Sequence, residues 1–173
     1  MTWKELLNRK CVTADPTSKS EIDNLRSIVA RSMANVAIVG LSTDVRFFLA
    51  YDAARTLSLS LMIVRAEGYR PRTVGGHYNT FIALEAADPA FATLSSYFNN
   101  CRMLRNQSEY DFAGGISDGD ADQLLQEAKK FATEAEAWIA ARRPHLAGNQ
   151  NESPVLWSPN RPAPFEFPPN SPG

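Results

Sequence analysis

Residues 101–112 of this 173-residue chain read CRMLRNQSEYDF and combine a helical pattern with two arginines. If the stretch is extended back to Asp88 and placed on a helix at about 100° per residue, its apolar side chains fall on one side. These side chains are Phe91, Leu94, Phe98, Cys101 and Phe112. Arg105 falls within the apolar stripe and Arg102 at its edge, and burying an unpaired charge is costly. We therefore expect Arg105 to meet either a carboxylate, which Glu109 can supply one turn away, or an anionic ligand.

Working outward from this stretch, apolar periodicity and helix-capping residues predict four long helices and one shorter helix. The boundaries are Ser18 to Gly40, Ser42 or Thr43 to Gly68, a shorter helix opened by His77, Pro89 to Phe112, and Asp118 or Asp120 to Arg143. The sequence Ser18-Lys19-Ser20-Glu21 has the form of a capping box. We find no pattern typical of paired strands, so we predict an all-α, up-down bundle over residues 18–143.

The ends of the chain differ from this central region. Residues 1–17 form a separate N-terminal segment in this prediction, and residues 144–173 hold eight of the eleven prolines without apolar periodicity. We expect residues 144–173 to form an extended or disordered tail whose removal after Arg143 leaves the bundle stable.

The composition narrows the possible functions. The net charge is −1 and the pI is about 6.1, so the chain has no overall basic field and any contact with nucleic acid must be local. Two distant cysteines, Cys11 and Cys101, and two histidines give no spacing typical of a zinc site. We expect no metal and no cofactor.

The first ten residues, MTWKELLNRK, carry charges where a signal peptide has its apolar stretch, and no run is long enough for a membrane span. We expect a cytoplasmic protein with reduced thiols and no membrane association.

The predicted helix from residue 42 to 68 is apolar on more than one face, as Phe47, Tyr51 and Ile63 indicate. A helix of this kind is either central or part of an interface, and the apolar excess leads us to expect a homodimer. Asp52 and Arg55 are polar positions on this helix that either line a groove or are solvated.

A loop follows at residues 69–77, where Pro71 and the pair Gly75-Gly76 interrupt helical periodicity. A Gly-Gly step before a helix can present N–H groups to an anion, although the spacing fits no phosphate-loop pattern. His77 is therefore read as an ordinary surface residue at a helix start or as part of an anion site.

The order of these helices, with GGHYNTFIALEA in the middle and CRMLRNQSEYDF late in the bundle, resembles the HEPN family. Members of that family carry an Arg-x(4–6)-His motif, often with Asn after the arginine. Here Arg105-Asn106-Gln107-Ser108-Glu109-Tyr110 matches this framework, with Tyr110 at the place of the histidine. The resemblance covers roughly Ser18 to Arg143.

The resemblance implies an RNA- or nucleotide-binding module, or a metal-independent ribonuclease toxin paired with a nucleotidyltransferase, that dimerises so that two motifs share one groove. It implies Arg102, Arg105, Asn106 and Tyr110 as ligand-binding residues. A tyrosine with a pKa of about 10 is a poor base at neutral pH, so we expect catalysis to be absent or weak. If catalysis occurs, Arg105 would stabilise the developing charge while Tyr110 or His77 handles the proton. A purely structural dimerisation or partner-binding bundle remains the alternative.

Overall fold

The computed structural model describes residues 1–54, 59–110 and 115–148, apart from the side chains of residues 54, 109 and 110. The helices of these ranges are α1 (Trp3–Asn8), α2 (Lys19–Val36), α3 (Thr43–Ala54), α4 (Leu59–Ala66), α5 (Gly76–Ala87), α6 (Ala92–Tyr110) and α7 (Asp118–Arg142). Short 3₁₀ turns, Pro89–Phe91 and Pro144–Leu146, precede α6 and follow α7. The prediction of an all-α protein is confirmed.

The starts of α2 and α7 follow the predicted capping chemistry only in part. Ser18 caps α2 by accepting a hydrogen bond from the Glu21 N–H, as predicted. The cap of α7 is Ser117 rather than Asp118 or Asp120, and Asp120 completes a capping box from the third helical position. The seven-turn helix predicted from residue 42 to 68 corresponds to α3 and α4, and its continuity depends on residues 55–58, which lie outside the described ranges.

A short antiparallel ribbon joins β1 (Val12–Ala14) to β2 (Tyr69–Pro71), with Thr13 opposite Arg70. The prediction that the chain has no strand pair is therefore wrong. Three-residue strands are too short to show the alternation that identifies a strand in a sequence, and β2 contains the proline that we read as a loop signal. The ribbon connects the N-terminal segment to the bundle through long-range contacts.

The main core lies where α3 packs against α2 and α7, and where α4 packs against α2, α5 and α7. Phe47 and Tyr51 on α3 and Ile63 on α4 are all buried inside the chain. The apolar excess that we took as a sign of a dimer surface is therefore used within one chain. A central helix needs no partner subunit to cover it.

A chain of aromatic contacts runs through the core. Ring centroids are 6.3 Å apart for Tyr51 and Phe81, 5.9 Å for Phe81 and Phe98, and 5.5 Å for Phe98 and Phe131. These spacings are typical of aromatic pairs that contribute beyond their buried area. The contacts fix α3, α5, α6 and α7 relative to one another. Tyr51 on α3 is at one end of this series.

The packed part of the chain continues past the predicted boundary at Arg143. Leu146 is 2% exposed, and its carbonyl accepts a hydrogen bond of 2.8 Å from the Arg26 Nη2. The beginning of the predicted tail is thus docked on α2, while residues 149–173 lie outside the described ranges. No helix in the described ranges is long and apolar enough to cross a membrane.

We expect Leu146→Ala to destabilise the protein by about 2–3 kcal/mol, because burial of the leucine side chain is lost and a cavity remains. Chemical denaturation followed by circular dichroism measures this cost. Leu7→Ala, the same change at an exposed position, is the matched control and should cost less than about 0.5 kcal/mol. Equal stabilities of the two variants would show that burial of the Leu146 side chain contributes nothing to stability.

Candidate functional site

The Arg105 guanidinium lies over two aromatic rings of α3. Its Cζ is 5.3 Å from the centroid of Phe48 and 5.8 Å from that of Tyr51. Both distances are within the range of a cation–π interaction. Arg105 is half-buried, as its place in the apolar stripe of α6 predicts. The charge is thus held at the contact between α6 and α3.

His77 reaches the same tyrosine from α5. The His77 and Tyr51 rings are 6.3 Å apart between centroids and are inclined by 58°. The Arg105 Cζ lies 5.8 Å, and the centre of the His77 ring 6.3 Å, from the centroid of the same Tyr51 ring. The distance between the Arg105 Cζ and the His77 ring centre is therefore at most the sum of these two values. The structure brings together two of the predicted site residues, with Tyr51 between them in the chain of contacts.

Two further predicted residues lie on α6 near Arg105. Arg102 is half-buried, and its Nε donates a 2.9 Å hydrogen bond to the Asn99 Oδ1. Asn106 follows Arg105 directly and is exposed. Residue 102 is three positions before Arg105, so the two arginines share a side of the helix.

Three of the polar residues that the sequence analysis names have side chains outside the described part of the chain. Tyr110 ends α6, but its side chain and that of Glu109 lie outside the described part of the chain, as does Arg55. The predicted pairing of Arg105 with Glu109 therefore stays a prediction. Asp52 is half-buried on α3, next in sequence to Tyr51.

Hydrogen bonds within residues 73–79 fix the glycine-containing loop before α5. Gly75 caps the helix with a left-handed φ of 72°, and the Gly76 N–H donates to the Thr73 carbonyl at 3.0 Å. The buried Asn79 side chain donates a 2.9 Å hydrogen bond to the Val74 carbonyl. This ordered turn positions His77 in the first turn of α5.

Sequence reasoning missed the most strongly buried charged group described, Arg65 on α4, which is 1% exposed. Its Nε and Nη2 donate to the two carboxylate oxygens of Glu21 at 2.9 and 2.7 Å. Further bonds from Nη1 and Nη2 reach the carbonyls of Asp15, Tyr69 and Pro16. A charged residue inside the apolar run LSLMIVRA is the signal that could have identified it.

The Arg65 cluster connects α4 to α2 and to both strands of the ribbon at the end where Ala14 faces Tyr69. Arg70 joins it by donating to Glu21 at 2.9 Å and to the Asp15 carboxylate at 2.5 Å. The hydrogen bonds from Arg65 lower the pKa of the Glu21 carboxyl from 4.5 to about 2. Glu21 is thus the partner of a buried cation, rather than the second half of the capping box that the sequence predicts. Because the charges of this cluster pair with one another, we infer that it stabilises the fold and does not bind a ligand.

Other chemical features are less suited to a reactive site. Burial raises the pKa of the Cys101 thiol to about 11, so the reactive thiolate is scarce at neutral pH. Within residues 1–54, 59–110 and 115–148, no group of three or more His, Cys, Asp or Glu side chains is arranged to hold a metal ion. Arg105 and His77, which both contact Tyr51, are therefore the arrangement best suited to bind or react with a ligand.

Comparison with known proteins adds no assignment: no family model matches the chain, and searches of curated proteins and of solved structures give no match.

Proposed function

We propose that this protein is a HEPN-like up-down helical bundle that binds a phosphate group of RNA or of a nucleotide at Arg105, with catalysis absent or weak. Arg102, Asn106 and Tyr110 complete the proposed site. In this proposal the protein acts as a component of a toxin–antitoxin or nucleotidyltransferase-associated system. The resemblance of residues 105–110 to the HEPN motif supports the family part of the proposal.

The observation that carries the binding proposal is the position of the Arg105 guanidinium over Phe48 and Tyr51. A cation–π contact fixes the position of the charge through the ring faces. A guanidinium is permanently charged and its planar fork matches the oxygens of a phosphate group. Arg102 on the same side of α6 adds a second positive charge, which favours an anionic ligand.

A second candidate function, a metal-independent ribonuclease, is favoured by the contact of His77 with Tyr51. Histidine exchanges protons near neutral pH, and an arginine stabilises the charge that develops on the phosphate. In this proposal the RNA 2′-hydroxyl loses its proton to His77 and attacks the adjacent phosphorus, and Arg105 binds the phosphate oxygens. The bond from phosphorus to the 5′-oxygen then breaks to leave a 2′,3′-cyclic phosphate, and the leaving 5′-oxygen takes up the proton that His77 received.

The homodimer remains an expectation from the resemblance alone, since the apolar faces that first suggested it are buried inside the chain. A structural bundle that binds only a protein partner is the alternative, in which Arg105 has no ligand.

We expect Arg105→Ala to abolish RNA binding while the protein stays folded. Loss of the two ring contacts should cost about 0.5–2 kcal/mol of stability. Fluorescence polarisation with a labelled oligoribonucleotide measures binding, and thermal melting measures stability. Arg31→Ala, which removes an exposed arginine from α2, is the control for the change in net charge.

Arg105→Lys sharpens this experiment because it keeps the charge and removes the planar fork, so intermediate affinity is expected. Unchanged RNA binding by Arg105→Ala, together with a stability loss of about 3–5 kcal/mol, would instead identify Arg105 as the partner of a buried carboxylate. That result would refute the proposed site.

A further inference from the structure

Residues 72–78 comprise the loop after β2 and the start of α5, and most of their side chains are exposed. Val74 is 91% exposed and Tyr78 is 46% exposed, and the Arg72 side chain is exposed as well. His77 belongs to the same segment and contacts Tyr51. An aromatic ring, an aliphatic side chain and a cation are thus presented to solvent by the segment that carries His77, which contacts the same tyrosine as Arg105.

Hydrogen bonds fix the backbone of this segment, although the Arg72, Val74 and Tyr78 side chains are exposed. The buried Asn79 donates a hydrogen bond to the Val74 carbonyl, and its own N–H donates to the Gly75 carbonyl at 2.8 Å. On the other side, the Arg72 N–H donates to the Cys11 carbonyl at 2.9 Å. A loop ordered before binding loses less conformational entropy when a ligand arrives.

The charge of this segment favours an anionic partner. The sequence from Arg72 to Ala83, RTVGGHYNTFIA, holds an arginine and a histidine and has no acidic residue. Arg70, by contrast, is paired with Asp15 and Glu21, so it does not add to the field at the loop. Proteins that bind unpaired nucleotides combine basic side chains with exposed aromatic rings on which the bases stack, and this segment carries Arg72 and Tyr78.

We propose that residues 72–78 bind single-stranded RNA, with a base stacked on Tyr78 and a backbone phosphate bound by Arg72. This inference rests on the proposed function, because it extends the path of the RNA backbone from Arg105 past His77 to the loop. Bases in a duplex are already stacked and paired, so the Tyr78 ring selects single strands. Val74 adds an apolar contact at the edge of the path.

The test uses fluorescence polarisation of a short labelled oligouridylate and of an RNA duplex of equal length. We expect Tyr78→Ala to weaken binding of the oligouridylate by about tenfold or more, and Tyr78→Phe to bind normally because the phenyl ring still stacks. Arg72→Ala should weaken binding and lower the slope of log affinity against log salt by about one. Arg31→Ala is again the control for net charge, and melting curves confirm that each variant is folded.

The outcomes separate this inference from the function on which it rests. Loss of binding in Arg105→Ala with normal binding by Tyr78→Ala and Arg72→Ala overturns the role of the loop and leaves the phosphate site in place. Equal weakening of single-stranded and duplex RNA by Tyr78→Ala overturns the selection of single strands. If the unaltered protein binds neither RNA, both proposals fail.

Discussion

Glu21→Ala is expected to destabilise the folded protein by about 3–5 kcal/mol, the largest stability loss that we predict for a polar residue. The change leaves the Arg65 guanidinium in a site where it is 1% exposed, without the carboxylate that accepts two of its hydrogen bonds. A buried charge without its partner costs far more than the net gain from forming the pair. Chemical denaturation monitored by circular dichroism gives the difference in the free energy of unfolding.

Arg70→Ala is the matched control, because Arg70 contacts the same carboxylate from a side chain that is 50% exposed. An exposed ion pair contributes about 0–1 kcal/mol, so this variant should remain close to the native stability. If Glu21→Ala and Arg70→Ala have the same small effect, the three carbonyls and the Asp15 carboxylate, 3.3 Å from the Arg65 Nη1, are enough to stabilise the buried charge. The ion pair of Glu21 and Arg65 would then not be what holds α2, α4 and the ribbon together.

The pH dependence of stability gives a second measure of the same interaction. The Glu21 pKa is lowered from 4.5 to about 2 in the folded protein, so folding favours the charged carboxylate. Its contribution is complete above pH 4.5, where the unfolded carboxyl is also ionised, and is lost as the pH falls towards 2. The loss of stability between these pH values should therefore be shallower in Glu21→Gln than in the native protein.

The positions of the helices could be predicted because their signals are local. Capping residues such as Ser18 and breaks such as Pro144 act within one turn, and the apolar periodicity of α7 extends over its whole length. The structure confirms these features within a few residues at each end. Helix α2 ends at Val36 rather than Gly40, because the chain leaves the helix before the glycine that has the positive φ.

The ribbon and the Arg65 cluster could not be predicted, because both depend on residues far apart in the sequence. Glu21 and Arg65 are separated by 44 positions, and Thr13 pairs with Arg70 across 57. At the sequence level Glu21 satisfies a local rule, that of the capping box, and nothing local indicates that a buried arginine uses its carboxylate instead. The ion pair with Arg65 thus replaces the local capping-box bond of the Glu21 side chain.

The candidate site was predicted in part. The helical pattern placed Arg105 in an apolar stripe, and the structure confirms that it is half-buried. Its aromatic neighbours on α3 and the approach of His77 follow from how three helices pack, which spacing along one helix does not determine. Closeness in sequence suggests Glu109 as a partner of Arg105, whereas the sequence pattern places Tyr51 only in the core or at an interface and does not indicate its contact with Arg105.

Tyr110→His is expected to convert weak or absent RNA cleavage into measurable cleavage, with an increase of about 10²–10⁴-fold, the usual contribution of a general acid or base. On the proposed HEPN relationship, the change places a group that titrates near neutrality five residues after Arg105. Tyrosine has an ordinary pKa of about 10 and is therefore a poor base near neutral pH. Gel analysis of a labelled oligoribonucleotide, with EDTA present to exclude metal-dependent contaminants, measures the cleavage rate.

Two controls assign the activity to named residues. Arg105→Ala in the Tyr110→His background should abolish cleavage, because the developing charge on the phosphate loses its stabilising cation. His77→Gln in the same background should retain it if residue 110 handles the proton, and should abolish it if His77 does so. Cleavage by the unaltered protein as fast as by Tyr110→His would contradict the view that the motif is degenerate. Loss of that native activity in His77→Gln would then establish the second candidate function, in which His77 and Arg105 act together beside Tyr51.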